Sequence, residues 1–263
     1  MSRTDAFREM HHRHHPLLLP NPWDVGSARL FASLGFEALA TTSSGFAATL
    51  GRLDGGITRH EALSHAADIV AATDLPVSAD LENGFAHDPA GVAETVRLAV
   101  ETGLAGCSVE DYTGDPDDPI YPLDLAVERV GAAVAAAAGR LVITARSENF
   151  LHGRPDLADT IARLQGFQDA GADVLYAPGP VDPADIGRVV EETDRPLNVL
   201  ALPGVPPVTE LSDLGVKRIS VGSGFSLVAF GAVAEAAQEL LEHGTYGYWN
   251  LAQAGVMARD AAF

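Results

Sequence analysis

The sequence is poor in cysteine and in positive charge. Cys107 is the single cysteine among 263 residues, which rules out a disulfide within the chain and favours a reducing compartment. Lys and Arg number 17 against 36 Asp and Glu, and the formal net charge is -19. A chain of this sign repels the phosphates of nucleic acids and anionic membranes, so we expect neither as a partner.

Two further patterns are missing. The sequence has no uninterrupted apolar run of about 20 residues and no signal-peptide pattern, so we expect a cytoplasmic protein without a membrane partner. The G-x-G-x-x-G fingerprint that follows the first strand of a doubly wound dinucleotide-binding sheet is absent from "PNPWDVGS". Hydrophobic residues nevertheless make up 47% of the chain, which is ample for a large core.

Short apolar segments alternate with segments of helical periodicity along the chain. A capping box predicts the start of one helix, with Thr58 at its N-cap and Glu61 three residues later. Eight strand–helix units follow one another, which predicts a parallel sheet covered by helices and closed as an α/β (β/α)8 TIM barrel. A doubly wound sheet is the alternative. We expect one domain over 1–263, with 244–263 as a C-terminal helical extension.

Acidic residues end two neighbouring strands of this predicted barrel. "VSADLENG" places Asp80 and Glu82 two residues apart on one face, and "GCSVED" ends in Glu110 and Asp111. The carboxyl ends of barrel strands surround the functional mouth. Several carboxylates in one volume require a cation, and hard oxygen ligands favour Mg²⁺ or Mn²⁺ over zinc. Alternatively, these acids cap helices or pair with Arg146 alone.

Several motifs occur in the order and at the separations of a known superfamily. They are "TTSSGFAA", "DGGITRHE", "SADLENGFA", "SVEDY" and "ITARSENF". Together they resemble the isocitrate lyase and phosphoenolpyruvate mutase superfamily over nearly the entire chain. The resemblance implies a (β/α)8 barrel whose Mg²⁺ binds a 2-oxo acid, and cleavage of a bond next to the carbonyl through a metal-stabilised enolate.

The resemblance also implies roles for individual residues. Asp80, Glu82 and Glu110 match the metal site, although Glu82 stands where an aspartate is usual. Asp54 matches the acidic residue of a mobile loop that closes over the site. The remaining implied residues bind the substrate, and they are the Arg146 side chain, the Ser44 hydroxyl and the amides of Gly45 and Phe46; Asn198, at the end of the seventh strand, is a further candidate.

The loop after the fourth strand departs from the family. Isocitrate and methylisocitrate lyases carry K-[KR]-C-G-H there, and phosphonopyruvate-converting relatives carry a lysine and an asparagine, but this chain has "TGDPDDPIYPLD". Neither of those activities is therefore favoured. Tyr121 in this loop is a candidate general acid, with packing of the loop as its alternative role.

The sequence therefore predicts a Mg²⁺-dependent lyase or hydrolase that cleaves a C–C bond of a small 2-oxo acid or 2-hydroxy diacid. Cleavage or rearrangement of a P–C bond, as in phosphonopyruvate, is the nearest alternative. The second alternative is a non-catalytic barrel that binds a phosphate ligand at "VGSGF". Apolar segments beyond the eighth strand, together with the helix exchange seen in relatives, predict a homo-oligomer, a dimer or tetramer.

Overall fold

Eight short parallel strands form a nearly closed barrel, which confirms the predicted fold class. The computed structural model describes residues 2–263. The strands are β1 (Leu17–Leu19), β2 (Leu39–Ala40), β3 (Val77–Asp80), β4 (Gly106–Glu110), β5 (Val142–Arg146), β6 (Val174–Tyr176), β7 (Leu197–Leu200) and β8 (Arg218–Ser220). They pair in the order β1-β8-β7-β6-β5-β4-β3-β2. The Ala40 amide donates to the Pro20 carbonyl at 3.1 Å, which bridges the remaining junction between β1 and β2.

Helices surround this barrel on the outside. They are α1 (Arg3–Met10), α2 (Val25–Ser33), α3 (Ser43–Thr49), α4 (Arg59–Ala72), α5 (Pro89–Val100), α6 (Leu123–Ala137), α7 (Leu157–Asp169), α8 (Pro183–Glu191), α9 (Val208–Asp213), α10 (Gly224–His243) and α11 (Trp249–Ala262). Short polar side chains begin several of them, and the predicted capping box of Thr58 and Glu61 is present at α4.

Alternation along the strands separates the core from the site. Ala79, Cys107 and Ile143 belong to the buried cluster between the strands and the helices. Ser78 and Ser108, one position away, face the barrel interior, because side chains on a strand point alternately to its two sides. Cys107 is a packing residue, and burial raises the pKa of its thiol to about 12.

The second strand contains only two residues. It ends at Ala40, and α3 begins three residues later. The Thr42 hydroxyl accepts a hydrogen bond from the Gly45 amide at 3.2 Å, which makes Thr42 the N-cap of α3. The Thr-Thr-Ser-Ser run was therefore helix-capping chemistry rather than a continued strand.

The long α10 helix leaves the barrel and is exposed along most of its length. It has 20 residues, and an 18-residue stretch of it has a mean hydropathy of 1.2, so by length and composition it is the one helix of residues 2–263 that is long and apolar enough to cross a membrane. After α10 the chain turns, with the Glu239 carboxylate accepting from the amides of Gly247 and Tyr248 at 2.6 and 2.9 Å. α11 then packs against α2 of the same chain.

Candidate active site

A cavity of about 680 Å³ opens at the carboxyl ends of the strands. Carboxylates from three strand ends and one loop reach it, together with a single arginine at the same level. Those side chains are Asp54, Asp80, Glu82, Glu110, Glu148 and Arg146. Asp111, next to Glu110, points the other way and binds Arg163 at 3.2 Å, so the strand directs only one of these two acids into the cavity.

Arg146 lies among the carboxylates and contacts three of them. Its Nε donates to Glu148 Oε1 at 2.8 Å. Its Nη1 lies 3.1 Å from Asp80 Oδ1 and 3.3 Å from Glu110 Oε2. The guanidinium also lies 5.0 Å from the centre of the Tyr176 ring. One cation therefore holds three acids in place.

The electrostatics of this group are unbalanced. Burial lowers the pKa of Arg146, but Glu148, Glu110 and Asp80 outweigh it, so the pKa lies well above its ordinary value. Burial raises the pKa of Glu110 well above the ordinary carboxyl value, although Arg146 opposes the rise. The cluster holds more carboxyl groups than one arginine can pair, so an added cation would find favourable sites here by replacing the protons of these acids.

Glu82 has an unusual backbone and an unpartnered side chain. Its φ is 49°, in the left-handed region that residues other than glycine rarely adopt. Its buried Oε1 atom has no hydrogen-bond partner among residues 2–263. Burial, Asp80 and Asp54 together raise the pKa of its carboxyl to about 8. The structure thus brings Glu82 to the cluster as a poorly compensated acid.

Ser43 links the acid of β3 to the loop after α3. Its amide and its hydroxyl donate to Asp80 Oδ2 at 3.1 and 2.8 Å. The hydroxyl also lies 3.3 Å from Asp54 Oδ1. Burial of the Asp54 carboxyl, with Asp80 beside it, raises its pKa. The predicted loop acid therefore reaches the predicted metal site through Ser43, the neighbour of the predicted Ser44.

The predicted carboxylate-binding turn is the N-terminus of α3. Ser43 and Ser44 line the cavity, whereas Gly45 and Phe46 are absent from its wall. The Gly45 amide donates to the Thr42 hydroxyl, and the Phe46 amide donates to the Thr42 carbonyl at 3.0 Å. The predicted role of these two amides therefore requires the cap to rearrange, while Ser43 and Ser44 are already at the cavity.

Two other predicted side chains lie outside the cavity wall. Tyr121 is 5% exposed, and its hydroxyl lies 2.6 Å from His87 Nδ1 while Arg129 covers its ring. This position fits the packing alternative rather than the general acid. Asn198 is fully buried and donates to the Ser220 hydroxyl at 3.0 Å, so it supports a wall residue without reaching the cavity itself.

The glycine turn after β8 already has a protein partner. The amides of Val221 and Gly222 donate to Asn21 Oδ1 at 3.0 and 2.9 Å. Two amides of the "VGSGF" segment are therefore already hydrogen-bonded to a side chain that follows β1. This arrangement removes the main reason for the prediction of a phosphate-binding turn.

Several wall residues had not been singled out as site residues. His152 lies flat on Tyr112, with ring centres 3.7 Å apart, and its Nε2 atom is 3.7 Å from Glu148 Oε2. Glu148 follows Arg146 by two positions, which is a signal of a shared face that the sequence does carry. Arg218 lines the cavity from β8, but an arginine inside an apolar strand gives no signal of its direction.

The donor set fits a magnesium ion held partly through water. No three His, Cys, Asp or Glu side chains of residues 2–263 are placed to coordinate one metal ion directly. Mg²⁺ usually binds one or two carboxylates and retains several waters, so direct coordination by three is not required. The buried, unpartnered Glu82 Oε1 and the unbalanced charge around Asp80 and Glu110 both suit such an ion.

Comparison with known proteins places the chain among enzymes. The model of the family described as phosphoenolpyruvate phosphomutase matches residues 7–241. The chain belongs to this family. An uncharacterised protein of Mycobacterium tuberculosis is 32% identical over 83% of the chain and 82% of its own length. An oxaloacetate decarboxylase of Paraburkholderia xenovorans is 30% identical over 85% and 77%.

Solved structures of the phosphoenolpyruvate phosphomutase family share the fold. A Burkholderia cenocepacia protein, described provisionally as a lyase/mutase, is 52% identical with a TM-score of 0.91, over 94% of this chain and 90% of that one. Oxaloacetate acetylhydrolase with its product oxalate is 25% identical with a TM-score of 0.85, over 94% and 89%. Relatives named as lyases, decarboxylases and hydrolases confirm the prediction of an enzyme over that of a non-catalytic barrel.

Proposed function

We propose that this protein is a Mg²⁺-dependent lyase or hydrolase that cleaves a C–C bond of a small 2-oxo acid or 2-hydroxy diacid. The observation that carries the proposal is the convergence of Asp80, Glu82 and Glu110 on one cavity with Arg146 as the one cation among them. A structural ion pair would need one acid for this arginine. The excess of acids over cations is the arrangement of a site that binds a divalent ion.

Asp80 and Glu110 would hold the ion, with Glu82 acting on its water shell. Mg²⁺, when bound, supplies positive charge that stabilises an enolate oxygen. Mn²⁺ suits the same oxygen ligands. Because Arg146 already contacts Asp80 and Glu110, it fixes the orientation of both carboxylates before any ion or substrate arrives.

The substrate carboxylate would lie at the N-terminus of α3. Ser43 and Ser44 border the cavity there, and a helix N-terminus attracts negative charge. The amides of Gly45 and Phe46 would join them once the Thr42 cap rearranges. Asp54 would bring its loop over the site and exclude water, and Gly55 beside it has a φ of 72°, a conformation that suits a glycine hinge.

The loop after β4 and the named relatives favour cleavage of a C–C bond over cleavage of a P–C bond. Residues 110–125 contain no lysine, so the loop offers no cation to a migrating or departing phosphoryl group. The relatives that act on oxaloacetate cleave a C–C bond. Cleavage or rearrangement of a P–C bond, with phosphonopyruvate or phosphoenolpyruvate as substrate, is the second candidate, and the description of the family as a phosphomutase supports it.

A substrate panel with and without metal tests the proposal. Purified protein would be assayed with oxaloacetate, 2-methylisocitrate, 2,3-dimethylmalate and phosphonopyruvate, in Mg²⁺ or in EDTA. We expect Mg²⁺-dependent turnover of a C–C substrate, and its loss in the Asp80→Ala variant. The matched control is Asp74→Ala, whose exposed carboxylate lies far from the cavity on the surface. Undiminished activity in Asp80→Ala or in EDTA would refute the assignment.

We also propose that the protein is a cytoplasmic homo-oligomer, a dimer or tetramer. The support is the exposed apolar surface of α10, where Leu227, Val228, Phe230 and Val233 are all more than half exposed. Several apolar side chains exposed next to one another on a barrel protein are usually covered by a partner subunit. Burial of α10 against a partner subunit would account for its apolar composition without a membrane.

A further inference from the structure

A layer of hydroxyl side chains lies beneath the acids of the cavity. Ser78 and Ser108 precede Asp80 and Glu110 by two positions on β3 and β4, and both line the cavity. Residues two apart on a strand share a face, so this layer lies about 6.6 Å deeper along each strand. Ser220 borders the same floor from β8.

Arg218 is the one charged side chain of this floor among residues 2–263. It is 3% exposed, lines the cavity, and donates from Nη1 to the Thr144 hydroxyl at 2.9 Å. Its buried Nε has no hydrogen-bond partner within residues 2–263. No Asp or Glu of these residues lies within 4.0 Å of its nitrogen atoms, in contrast to Arg146.

A buried guanidinium without a carboxylate is costly. Such an ion loses its hydration on burial, and a neighbouring hydroxyl recovers only part of that loss. Burial lowers the pKa of Arg218 to about 10, which still leaves it charged at neutral pH. The protein therefore maintains an uncompensated positive charge at the bottom of its own cavity.

The surroundings of Arg218 supply no counter-charge from either direction. The nearby His11 is buried, and burial lowers its pKa to about 3, so this imidazole is neutral. Arg146, which also acts on Arg218, is itself positive and already pairs with three acids. Tyr176, which lines the same region, is a phenol whose pKa burial raises, so it remains neutral.

We infer that Arg218 binds a second anionic group of the substrate, a carboxylate or a phosphonate, at the floor of the cavity. The inference rests on the proposed function, because it assigns the far end of the molecule whose first carboxylate lies at the mouth. A guanidinium binds a planar carboxylate through two parallel N–H bonds, and the hydroxyls of Ser78, Ser108 and Ser220 border the same space.

The assignment narrows the substrate class to acids with two charged ends. A monoacid such as pyruvate would leave Arg218 buried and unpaired, and that penalty would appear as weaker binding. A diacid such as oxaloacetate, or a phosphonate analogue of it, would neutralise the arginine. Specificity in this protein would then be decided on β8, at a position distant in sequence from the acids of β3 and β4.

Matched ligands test the inference by isothermal titration calorimetry in Mg²⁺. 3,3-Difluorooxaloacetate and trifluoropyruvate are both electron-poor 2-oxo acids, but only the first has a second carboxylate. Phosphonopyruvate replaces that carboxylate by a phosphonate and distinguishes the two sources of charge. We expect the wild type to bind at least one of the two doubly charged ligands ten times or more tighter than trifluoropyruvate.

Variants at Arg218 test whether this residue causes the preference for doubly charged ligands. Arg218→Gln should lower it to less than threefold, and Arg218→Lys, which retains the charge, should keep part of it. Arg97→Gln, at an exposed pair on α5, is the matched control. Equal binding of all ligands by the wild type, or a full preference in Arg218→Gln, would overturn the inference.

Oxalate separates this inference from the proposed function. Oxalate with Mg²⁺ should raise the melting temperature of the wild type, because it mimics an enolate at the mouth. If oxalate and Mg²⁺ have no effect on the wild type, the proposed function fails. If they do stabilise it while the matched ligands bind equally, only the assignment of Arg218 fails. If Arg218→Gln has a folding defect, Arg218→Lys carries the test: a preference below that of the wild type supports the inference, and an undiminished preference overturns it.

Discussion

Glu110 and Arg146 are direct partners across β4 and β5, and Glu110 Oε2 lies 3.3 Å from Arg146 Nη1. The same nitrogen lies 3.1 Å from Asp80 Oδ1 on the far side. The parallel register therefore places one arginine between acids of two neighbouring strands. Because the acids outnumber the arginine, the stability of this region depends on pH and on added cations as well as on the fold.

Removal of Arg146 tests this dependence. Arg146→Gln leaves buried carboxylates without their cation, and breaking a buried pair in this way costs about 3–5 kcal/mol. We expect a fall of that order in the free energy of unfolding at pH 8 in EDTA, measured by urea denaturation. The loss should be smaller at pH 5, where protonation of the acids relieves their repulsion.

The control for that variant is a surface pair of the same chemistry. Arg188 of α8 and Glu192, the C-cap of that helix, lie 2.9 Å apart with about half of each side chain exposed, and such pairs contribute about 0.3–0.5 kcal/mol. Arg188→Gln should therefore have little effect. Equal losses in the two variants would show that the cluster does not depend on Arg146.

Glu82 should make stability fall as the pH rises. Its pKa is about 8 in the folded protein and 4.5 as the ordinary value. Between these values the folded state holds a proton that the unfolded state has released. The stabilisation is therefore complete below pH 4.5 and is lost as the pH rises through about 8, with a slope of at most about 1.4 kcal/mol per pH unit.

The comparison of Glu82→Gln with wild type measures that contribution. Melting temperatures in EDTA from pH 4.5 to 8.5 should fall less steeply for the variant, because the neutral amide does not titrate. Glu94→Gln, at an exposed pair on α5, should follow the wild-type curve. Parallel curves for Glu82→Gln and wild type would contradict the raised pKa.

Much of the fold could be predicted because it follows from local periodicity. Apolar strands of two to five residues separated by amphipathic helices fix the barrel, and the capping box at Thr58 fixes the start of α4. The acids of the cavity could be predicted for the same reason. Asp80 and Glu110 end their strands, and strand ends of a barrel share one mouth.

The rest of the site depends on contacts that sequence order does not contain. Nothing near Tyr121 in the chain indicates that its hydroxyl meets His87, 34 residues away, outside the cavity. The N-cap of Thr42 decides which amides of α3 remain available, and this depends on a single side-chain hydrogen bond. Arg218 could not be placed because its direction is set by the barrel interior, where apolar residues are the rule.

Tyr121→Phe should leave catalysis nearly intact. The phenol lies outside the cavity wall, so we expect turnover within threefold of wild type once a substrate is known. The variant loses the hydrogen bond to His87, which should lower the free energy of unfolding by about 1 kcal/mol. A hundredfold loss of turnover with unchanged stability would restore Tyr121 as the general acid.

The loop acid Asp54 should affect turnover more than it affects stability. Its side chain meets Ser43 at 3.3 Å, yet the residue as a whole is exposed. Asp54→Asn keeps the size of the side chain and removes the charge that the closed loop would bring to the site. We expect at least a tenfold fall in kcat with a melting temperature within about 2 °C of wild type, whereas Asp68→Asn on α4 should change neither.

The exposed face of α10 should determine the assembly. Val228 and Leu241 are 69% and 84% exposed, and burial of such side chains at an interface contributes about 1.5–3 kcal/mol each. The double variant Val228→Glu/Leu241→Glu would place two charges in that interface. Light scattering after size exclusion should give a multiple of 27.5 kDa for the wild type and about one chain mass for the variant. Leu98→Glu, on α5, should assemble like the wild type, and a wild-type protein that is monomeric at micromolar concentration would contradict the proposed oligomer, since α10 would then have to remain in water with its apolar face uncovered.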